Sequence, residues 1–294
     1  MKNTTFISII IFLLVLVATA VGVFYTTPGA HIQFTTVRGE QATFQGSGLY
    51  RYDPASQVRE GVIWDVINLF IGLPLFAAAI ILSQRNSLRG RLFLAGLLFY
   101  FFYVYLMVMT MDSFNVLFLV YVAIFALSAV AFFMNLQKIE VARLPQQVTG
   151  KFPRGWFVGF SFAYSAVLIF LWMGRILPVM ASGQFPTEIA GLTTMTTQGF
   201  DLGMLVPLGI STGVLLLRRS PLAYLLTGVL LSFGLLMFIT LPAWIVVPLI
   251  QDGSVNLVEA SPFMILCLIG IAFFVLFFRN VKEDKVATSA IVNI

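Results

Sequence analysis

The chain has 294 residues with a formal net charge of +5; 60% of them are hydrophobic and 10% charged, and the mean hydropathy is +0.98. Soluble domains usually carry about 25% charged residues, so a water-soluble fold could not cover this much apolar surface, and the solvent is predicted to be lipid. Its one histidine, His31, and one cysteine, Cys267, exclude zinc sites built from His and Cys, a bis-His haem, a CxxC redox pair and an intrachain disulfide, and no cofactor is predicted.

Eight continuous apolar stretches, most of them roughly 20 residues long, predict helices that cross ~30 Å of hydrocarbon and disfavour a β-barrel. The sixth is short, and residues Thr187 to Phe200 are predicted to extend it as an amphipathic outer turn. The predicted spans are Phe6 to Tyr25, Ile63 to Ser83, Leu92 to Met111, Asn115 to Met134, Trp156 to Leu177, Leu202 to Leu217, Leu222 to Leu241 (extended to Ile250 in a longer version) and Phe263 to Phe278.

The first stretch has two interpretations. Lys2, the apolar run from Phe6 to Val17 and the small residues Ala18 to Ala20 are typical of a cleaved signal peptide. The apolar run nevertheless continues to Tyr25, which is long enough to span the membrane. A retained first helix is the favoured interpretation.

The loop between the first two spans, Thr26 to Gly61, has a character of its own. Two β-prone segments, His31 to Val37 and Gln41 to Gln45, flank Arg38-Gly39-Glu40 and predict a β-hairpin. After it, Asp53-Pro54 has the pattern of an N-cap followed by proline at the first helical position, so the second helix is predicted to begin there. Phe185 to Glu188 has a similar pattern before the sixth span.

The basic residues predict the orientation. Most of the 17 Lys and Arg residues fall in the termini and in the connections after the second, fourth and sixth spans, around Arg89, Arg143 and Arg219. Because basic residues are enriched on the cytoplasmic side, both termini are predicted to be cytoplasmic and the hairpin loop external. The predicted location is a bacterial cytoplasmic membrane, with the bilayer as the first partner and no role in nucleic-acid binding.

An ordered set of landmarks recurs along the chain. Asp65, Leu73-Pro74-Leu75 and Arg85-Asn86-Ser87-Leu88 are followed in the second half by Asp201, Val206-Pro207-Leu208 and Arg218-Arg219-Ser220-Pro221-Leu222. This order predicts two parallel four-helix repeats, as in some transporters. The predicted units are residues 1–146, which contain the outer loop 26–61; residues 147–279; and a polar, mobile cytoplasmic tail, residues 280–294.

A further set of short segments is spread over most of the chain: Gly48 to Asp53, Asp65 with Pro74, Ser87 to Gly90, Phe114-Asn115 with Leu117-Phe118, and Gln198 with Asp201 and Arg218-Arg219. In these segments the chain resembles an uncharacterised group of bacterial multi-pass membrane proteins with eight helices. The resemblance implies membership and topology only, because the group has no assigned activity.

Charged residues are absent from the middle of every predicted span, although intramembrane charges are the usual indicators of function. The charged residues nearest to the middle lie at the outer ends of the spans, and they predict an outward-facing polar site. The candidate ligand-binding residues are Arg175, Asp65, Asp201, Asn68, Gln198 and Trp172. Asp112, in a tight turn, is interpreted as a turn residue or an N-cap.

Arg175 has two open interpretations. It could grip an anionic ligand or pair with Asp201 or Asp65, because Ser161, Ser165, Leu168, Trp172 and Arg175 share one helix face. Alternatively, it extends to the outer headgroups beside an interfacial Trp172. Asp65 and Asp201 could equally sit in first helical turns for structural reasons.

Three functions remain open from the sequence. The first is transport or binding of a small molecule or lipid at an outward-facing site between the halves. The second is a sensor, or an assembly or accessory subunit that engages a membrane protein through the outer loop. A membrane enzyme acting on lipid-linked substrates has the least support, because no paired acid and base, metal set or activated nucleophile is evident.

Overall fold

The computed structural model describes residues 2–36, 38–183, 194–251 and 257–283. In these ranges the fold is all-α with one small hairpin, as predicted. The elements are α1 Lys2–Phe24, β1 Ile32–Thr35, β2 Gln41–Phe44, α2 Ala55–Ile67, α3 Leu73–Gln84, α4 Leu88–Met111, α5 Phe118–Leu136, α6 Arg154–Ser182, α7 Thr196–Phe200, α8 Val206–Leu217, α9 Pro221–Gln251 and α10 Leu257–Asn280.

The eight predicted helices are confirmed, since α2 runs on into α3 and α7 into α8. Seven helices in the described ranges are long and apolar enough to cross a membrane, and a shorter apolar helix covers Met264–Asn280. By helix length and hydropathy, therefore, the chain is a polytopic membrane protein in contact with the bilayer.

The most buried of these helices is α4, which packs against α3, α5 and α9. Glycine lets α9 come close: a Cβ on Gly96 would lie 2.2 Å from Cβ of Ser232, and one on Gly228 would lie 3.3 Å from Leu92. From one contact to the next the residue numbers rise along both helices, so α4 and α9 run parallel. Aromatic residues of α4 pack inward here, with Tyr100 and Tyr103 fully buried.

Two helices are interrupted by a π-helical turn of five residues. The first π-segment, Asn68–Gly72, lies between α2 and α3, and the second π-segment, Asp201–Leu205, lies between α7 and α8. In each case a proline follows as the second residue of the next helix, Pro74 or Pro207. Proline has no N–H and its ring crowds the preceding turn, so the wider turn accommodates it.

The helices α6 and α8 are antiparallel neighbours that pack through small residues. Ser165 Oγ would lie 2.2 Å from a Cβ on Gly209, and the Phe162 ring would lie about 3 Å from one on Gly213. Ser161 and Ser165 are buried and hydrogen-bonded to backbone carbonyls, as suits hydroxyls in an apolar environment. The face predicted for α6 is therefore a packing face over its first half.

The hairpin is confirmed at one end of the bundle, hereafter the hairpin end, with Ile32 paired to Phe44 and Thr35 to Gln41. The predicted N-cap at Asp53 is wrong. Helix α2 begins at Ala55 with Pro54 in the cap position and no side-chain cap, whereas Asp53 Oδ1 accepts a 2.5 Å hydrogen bond from the Ser113 N–H. Asp53 therefore fastens the loop to the end of α4.

The chain after α10 is held in place as far as the structure describes it. Val281 forms a β-bridge with Val148, and the Lys282 N–H donates to Gln147 O at 2.7 Å. The Glu283 carboxylate accepts hydrogen bonds from Ser87 Oγ and the Leu88 N–H at 2.7 and 2.9 Å, and so caps α4. The first residues of the predicted tail are thus in contact with the bundle. Residues 284–294, and the predicted helix start at 185–188, lie outside the described residues.

Candidate functional site

Two buried polar side chains open the π-segments near the hairpin end. Asn68 is 2% exposed and Asp201 7% exposed, in a bundle whose interior is otherwise mostly apolar. A buried amide or carboxyl group is costly unless it is hydrogen-bonded. Both groups find their partners on the central helix α4.

The first network is contained in the first half of the chain. Trp64 Nε1 donates to Tyr100 Oη at 2.7 Å, and Tyr100 Oη donates to Asn68 Oδ1 at 3.0 Å. The Trp64 ring also meets the Trp244 ring of α9 edge-on at 5.3 Å. The network itself thus belongs to the first half, and Trp244 of the second half packs against it.

The second network joins the halves directly. Tyr103 Oη of α4 donates to Asp201 Oδ1, and Trp172 Nε1 of α6 donates to Asp201 Oδ2 at 2.8 Å. Phe233 of α9 lies edge-on to Tyr103 at 5.4 Å and near Tyr100 at 6.0 Å, between the two networks. The structure thus brings Asn68, Asp201 and Trp172 around one aromatic centre.

Arg175 does not form the predicted ion pair with Asp65 or Asp201; no such pair occurs among the described residues. Its guanidinium is exposed and lies 5.4 Å from the centre of the Trp172 ring, in cation–π geometry. The charge of Arg175 acts on Glu60 of α2 instead. Arg175 therefore approaches Asp201 only through the indole of Trp172.

Asp65 lies in a separate cluster at the hairpin end. Tyr50 Oη donates to Asp65 Oδ2 at 2.5 Å, and a Cβ on Gly22 of α1 would lie 1.9 Å from the same oxygen. Glycine at position 22 is what lets the carboxyl group reach α1. Burial, followed by the Asp65 charge, raises the pKa of the Tyr50 phenol well above its usual value.

Two further carboxyl groups face this cluster. Burial raises the pKa of Asp53 to about 6, despite the hydrogen bond from Ser113. Burial, together with the charges of Asp53 and Asp65, raises the pKa of Asp112 well above its usual value. Asp112 follows α4 as its C-cap, so the predicted N-cap role is wrong and the turn-residue interpretation holds. The charges of Asp53 and Asp65 therefore both disfavour ionisation of Asp112.

These side chains can bind a ligand through hydrogen bonds and can exchange protons. Within the described ranges, no group of three or more His, Cys, Asp or Glu side chains could hold a metal ion. Gln198 is half-buried, one turn before Asp201, and contributes its backbone carbonyl to the helix. Carboxyl, amide, indole and phenol groups suit the recognition of a small polar or cationic ligand.

Three tyrosines of these networks, Tyr50, Tyr100 and Tyr103, were missed as site residues from the sequence. Tyr100 and Tyr103 stand three residues apart, a spacing that puts both on one side of α4. This spacing could have indicated the two site residues, but among the surrounding aromatic residues they resembled ordinary packing side chains.

No protein-family model, curated protein or solved structure matches this chain significantly.

Proposed function

We propose that the chain binds and moves a small molecule or lipid at an outward-facing site between two repeated halves. The proposal includes the orientation deduced from the basic residues, with the hairpin end outside the cell, and membership of the eight-helix bacterial group. One observation carries it: two π-segments, one in each half, begin with buried polar residues that both bind tyrosines of the same central helix.

The repeat is supported by a constant spacing. Asn68 and Asp201 begin the π-segments, and Pro74 and Pro207 follow them, each pair 133 positions apart. The same spacing relates the left-handed residues after α3 and α8, Asn86 (φ 58°) and Arg219 (φ 56°). In this register Asn68 corresponds to Asp201, and Asp65 to Gln198, which replaces the simpler match of Asp65 with Asp201.

The parallel packing of α4 on α9 fits the same scheme. These helices hold corresponding positions in the two halves, so a two-fold axis between them would run along the membrane normal, as in transporters with parallel repeats. The π-segments then lie on either side of that axis. Because π-turns interrupt regular helix hydrogen bonding, they are natural places for the bundle to bend.

A sensor or accessory role is the second candidate, and one surface favours it. Phe114 and Val116, in the turn after α4, are 78% and 87% exposed at the hairpin end. Ser113, next to them, binds the hairpin loop through Asp53 and the carbonyl of Tyr52. An apolar turn beside a docked hairpin suits contact with another membrane protein.

Reconstituted protein tests the proposal. Purified protein is screened by thermal shift against a panel of amino acids, sugars, organic amines and organic acids, and proteoliposomes are assayed for scrambling of fluorescent phospholipids. We expect at least one ligand response or lipid flux, and we expect Asp201→Asn to reduce it. The matched control is Glu140→Gln, which removes an exposed carboxylate far from the site. A response unaffected by Asp201→Asn would contradict the site, and no response across the panel would favour the accessory role.

A further inference from the structure

A polar cavity lies at the end of the bundle opposite the hairpin, where the predicted cytoplasmic face is. Its volume is about 360 Å³. The loop after α5 and the start of α6 form most of its wall, and Tyr224 of α9 closes one side. The lining residues are Pro145, Val148, Thr149, Gly150, Phe152, Arg154, Gly155 and Tyr224.

The wall of this cavity is preformed. The Thr149 N–H donates to Asn280 O at 2.9 Å, and the Thr149 hydroxyl donates to the Asn280 side-chain oxygen. The bridge between Val148 and Val281 continues the same contact. On the other side, Phe152 stacks on Phe157 at 4.7 Å. The loop is therefore fixed from both sides without a ligand.

The electrostatics of the cavity favour an anion. Arg154, half-buried in the wall, makes no side-chain hydrogen bond or ion pair with any residue in the described ranges. It is also the first residue of α6, a 29-residue helix whose N-cap position, Pro153, provides no side-chain cap. The dipole of α6 adds a partial positive charge on the same side, although the Arg154 and Trp156 N–H groups already donate to Phe152 O and Pro153 O at 2.8 and 3.0 Å.

Neighbouring positions add further positive charge. Since Gly209 faces Ser165 and Gly213 faces Phe162, the antiparallel register of α6 and α8 places the start of α6 beside the turn containing Arg218 and Arg219. Both of those side chains are exposed, as is Lys151 in the cavity loop.

The depth of the cavity points to lipid. Trp156, two residues after Arg154, is 70% exposed, and tryptophans at the ends of membrane helices concentrate at the headgroup level. We infer that this cavity binds the phosphodiester headgroup of an anionic phospholipid. Arg154 takes the phosphate oxygens through its planar fork, and the Tyr224 hydroxyl donates to the same group.

Lipid binding to the purified full-length protein tests this inference. Phosphatidylglycerol and phosphatidylcholine are titrated in detergent, and bound lipid is counted by native mass spectrometry. We expect Arg154→Gln to weaken phosphatidylglycerol binding about tenfold or more, because hydrogen bonds to charged groups are strong. Phosphatidylcholine has the same phosphodiester but no net negative charge, so it should bind the unchanged protein more weakly than phosphatidylglycerol does. Arg143→Gln is the matched control, since this exposed arginine carries the same charge on the same face but is paired with Glu140 at 2.7 Å.

A second variant guards against misfolding. Tyr224→Phe leaves the charge and the ring contact with Phe152 in place, and should weaken phosphatidylglycerol binding several-fold. Equal losses in Arg154→Gln and Arg143→Gln would show unspecific surface charge and overturn the site. Inorganic phosphate that displaces phosphatidylglycerol at equal concentration would show a site for the free anion and overturn the lipid assignment. Unchanged binding in both cavity variants would also overturn it.

Discussion

Replacing Tyr103 by phenylalanine isolates the contact that joins the two halves. The Phe variant keeps the ring against Phe233 and removes only the hydroxyl that donates to Asp201 Oδ1. Asp201 then keeps the indole of Trp172 as its donor. The change leaves a buried carboxyl oxygen without its partner.

The expected cost follows from that loss. A hydrogen bond to a charged group contributes about 1.5–3 kcal/mol, and an unsatisfied buried acceptor retains its desolvation penalty. Since 1 kcal/mol corresponds to about 2–4 °C for a chain of roughly this size, the unfolding midpoint should fall by about 3–12 °C. The assay is tryptophan fluorescence during heating in detergent, at one scan rate and at pH 7.

The control replaces a tyrosine whose hydroxyl is unsatisfied instead of hydrogen-bonded. Tyr121 is 4% exposed, and its hydroxyl has no hydrogen-bond partner among the described residues. Tyr121→Phe therefore removes an unsatisfied polar group, and its midpoint should stay the same or rise. Equal shifts in the two variants, or an unchanged midpoint for Tyr103→Phe, would refute the reasoning.

The remaining predictions concern the hairpin end and the topology. The pKa of Asp53 is raised from 3.8 to about 6 by burial, so the contribution of Asp53 to hairpin docking is fully present below pH 3.8 and falls by up to about 3 kcal/mol as pH rises to about 6; hydrogen exchange of the hairpin should show this step, and Asp53→Asn should remove it. Gly22→Ala should displace the Asp65 carboxyl group and lower the unfolding midpoint, and an unchanged midpoint would refute the close packing. In a Cys-free background, cysteines at Gln33 and Gly150 should react with impermeant maleimide from outside and from inside respectively; the reverse pattern would invert the topology.

The helices could be predicted because an apolar run of about 20 residues has few structures available to it in lipid. The hairpin could be predicted because β-prone segments flanked a turn. The orientation rested on the basic residues around Arg89 and Arg219 and stays a prediction. These features depend on local composition, which a single sequence contains.

The site depended on contacts that local composition does not encode. Proline at 74 and 207 indicates a kink, but not that a π-turn precedes it and rotates Asn68 or Asp201 toward α4. Nor could the sequence show which tyrosine of α4 faces which half, because that helix is buried on almost all sides and has no apolar stripe.

The contacts of the charged residue Arg175 could not be predicted from the sequence either. Its predicted partners were chosen by similar depth along their helices, since depth can be read from sequence. Rotation about the helix axis decides the partner, and here it turns the guanidinium over Trp172. Asp53 failed differently: the residue pattern is that of an N-cap, but the carboxylate accepts a hydrogen bond from the distant Ser113 N–H and leaves the helix uncapped.

A distance measurement between the halves tests the central claim most directly. Spin labels at Gly61 of α2 and Gly199 of α7, where an added Cβ meets no neighbouring atom within 4 Å, report the separation of the two halves near the hairpin end. The labels are attached in a Cys267→Ser background, and double electron–electron resonance is recorded in lipid nanodiscs. Halves that move about the contact between α4 and α9 predict two resolved distances. A single narrow distance would contradict the account.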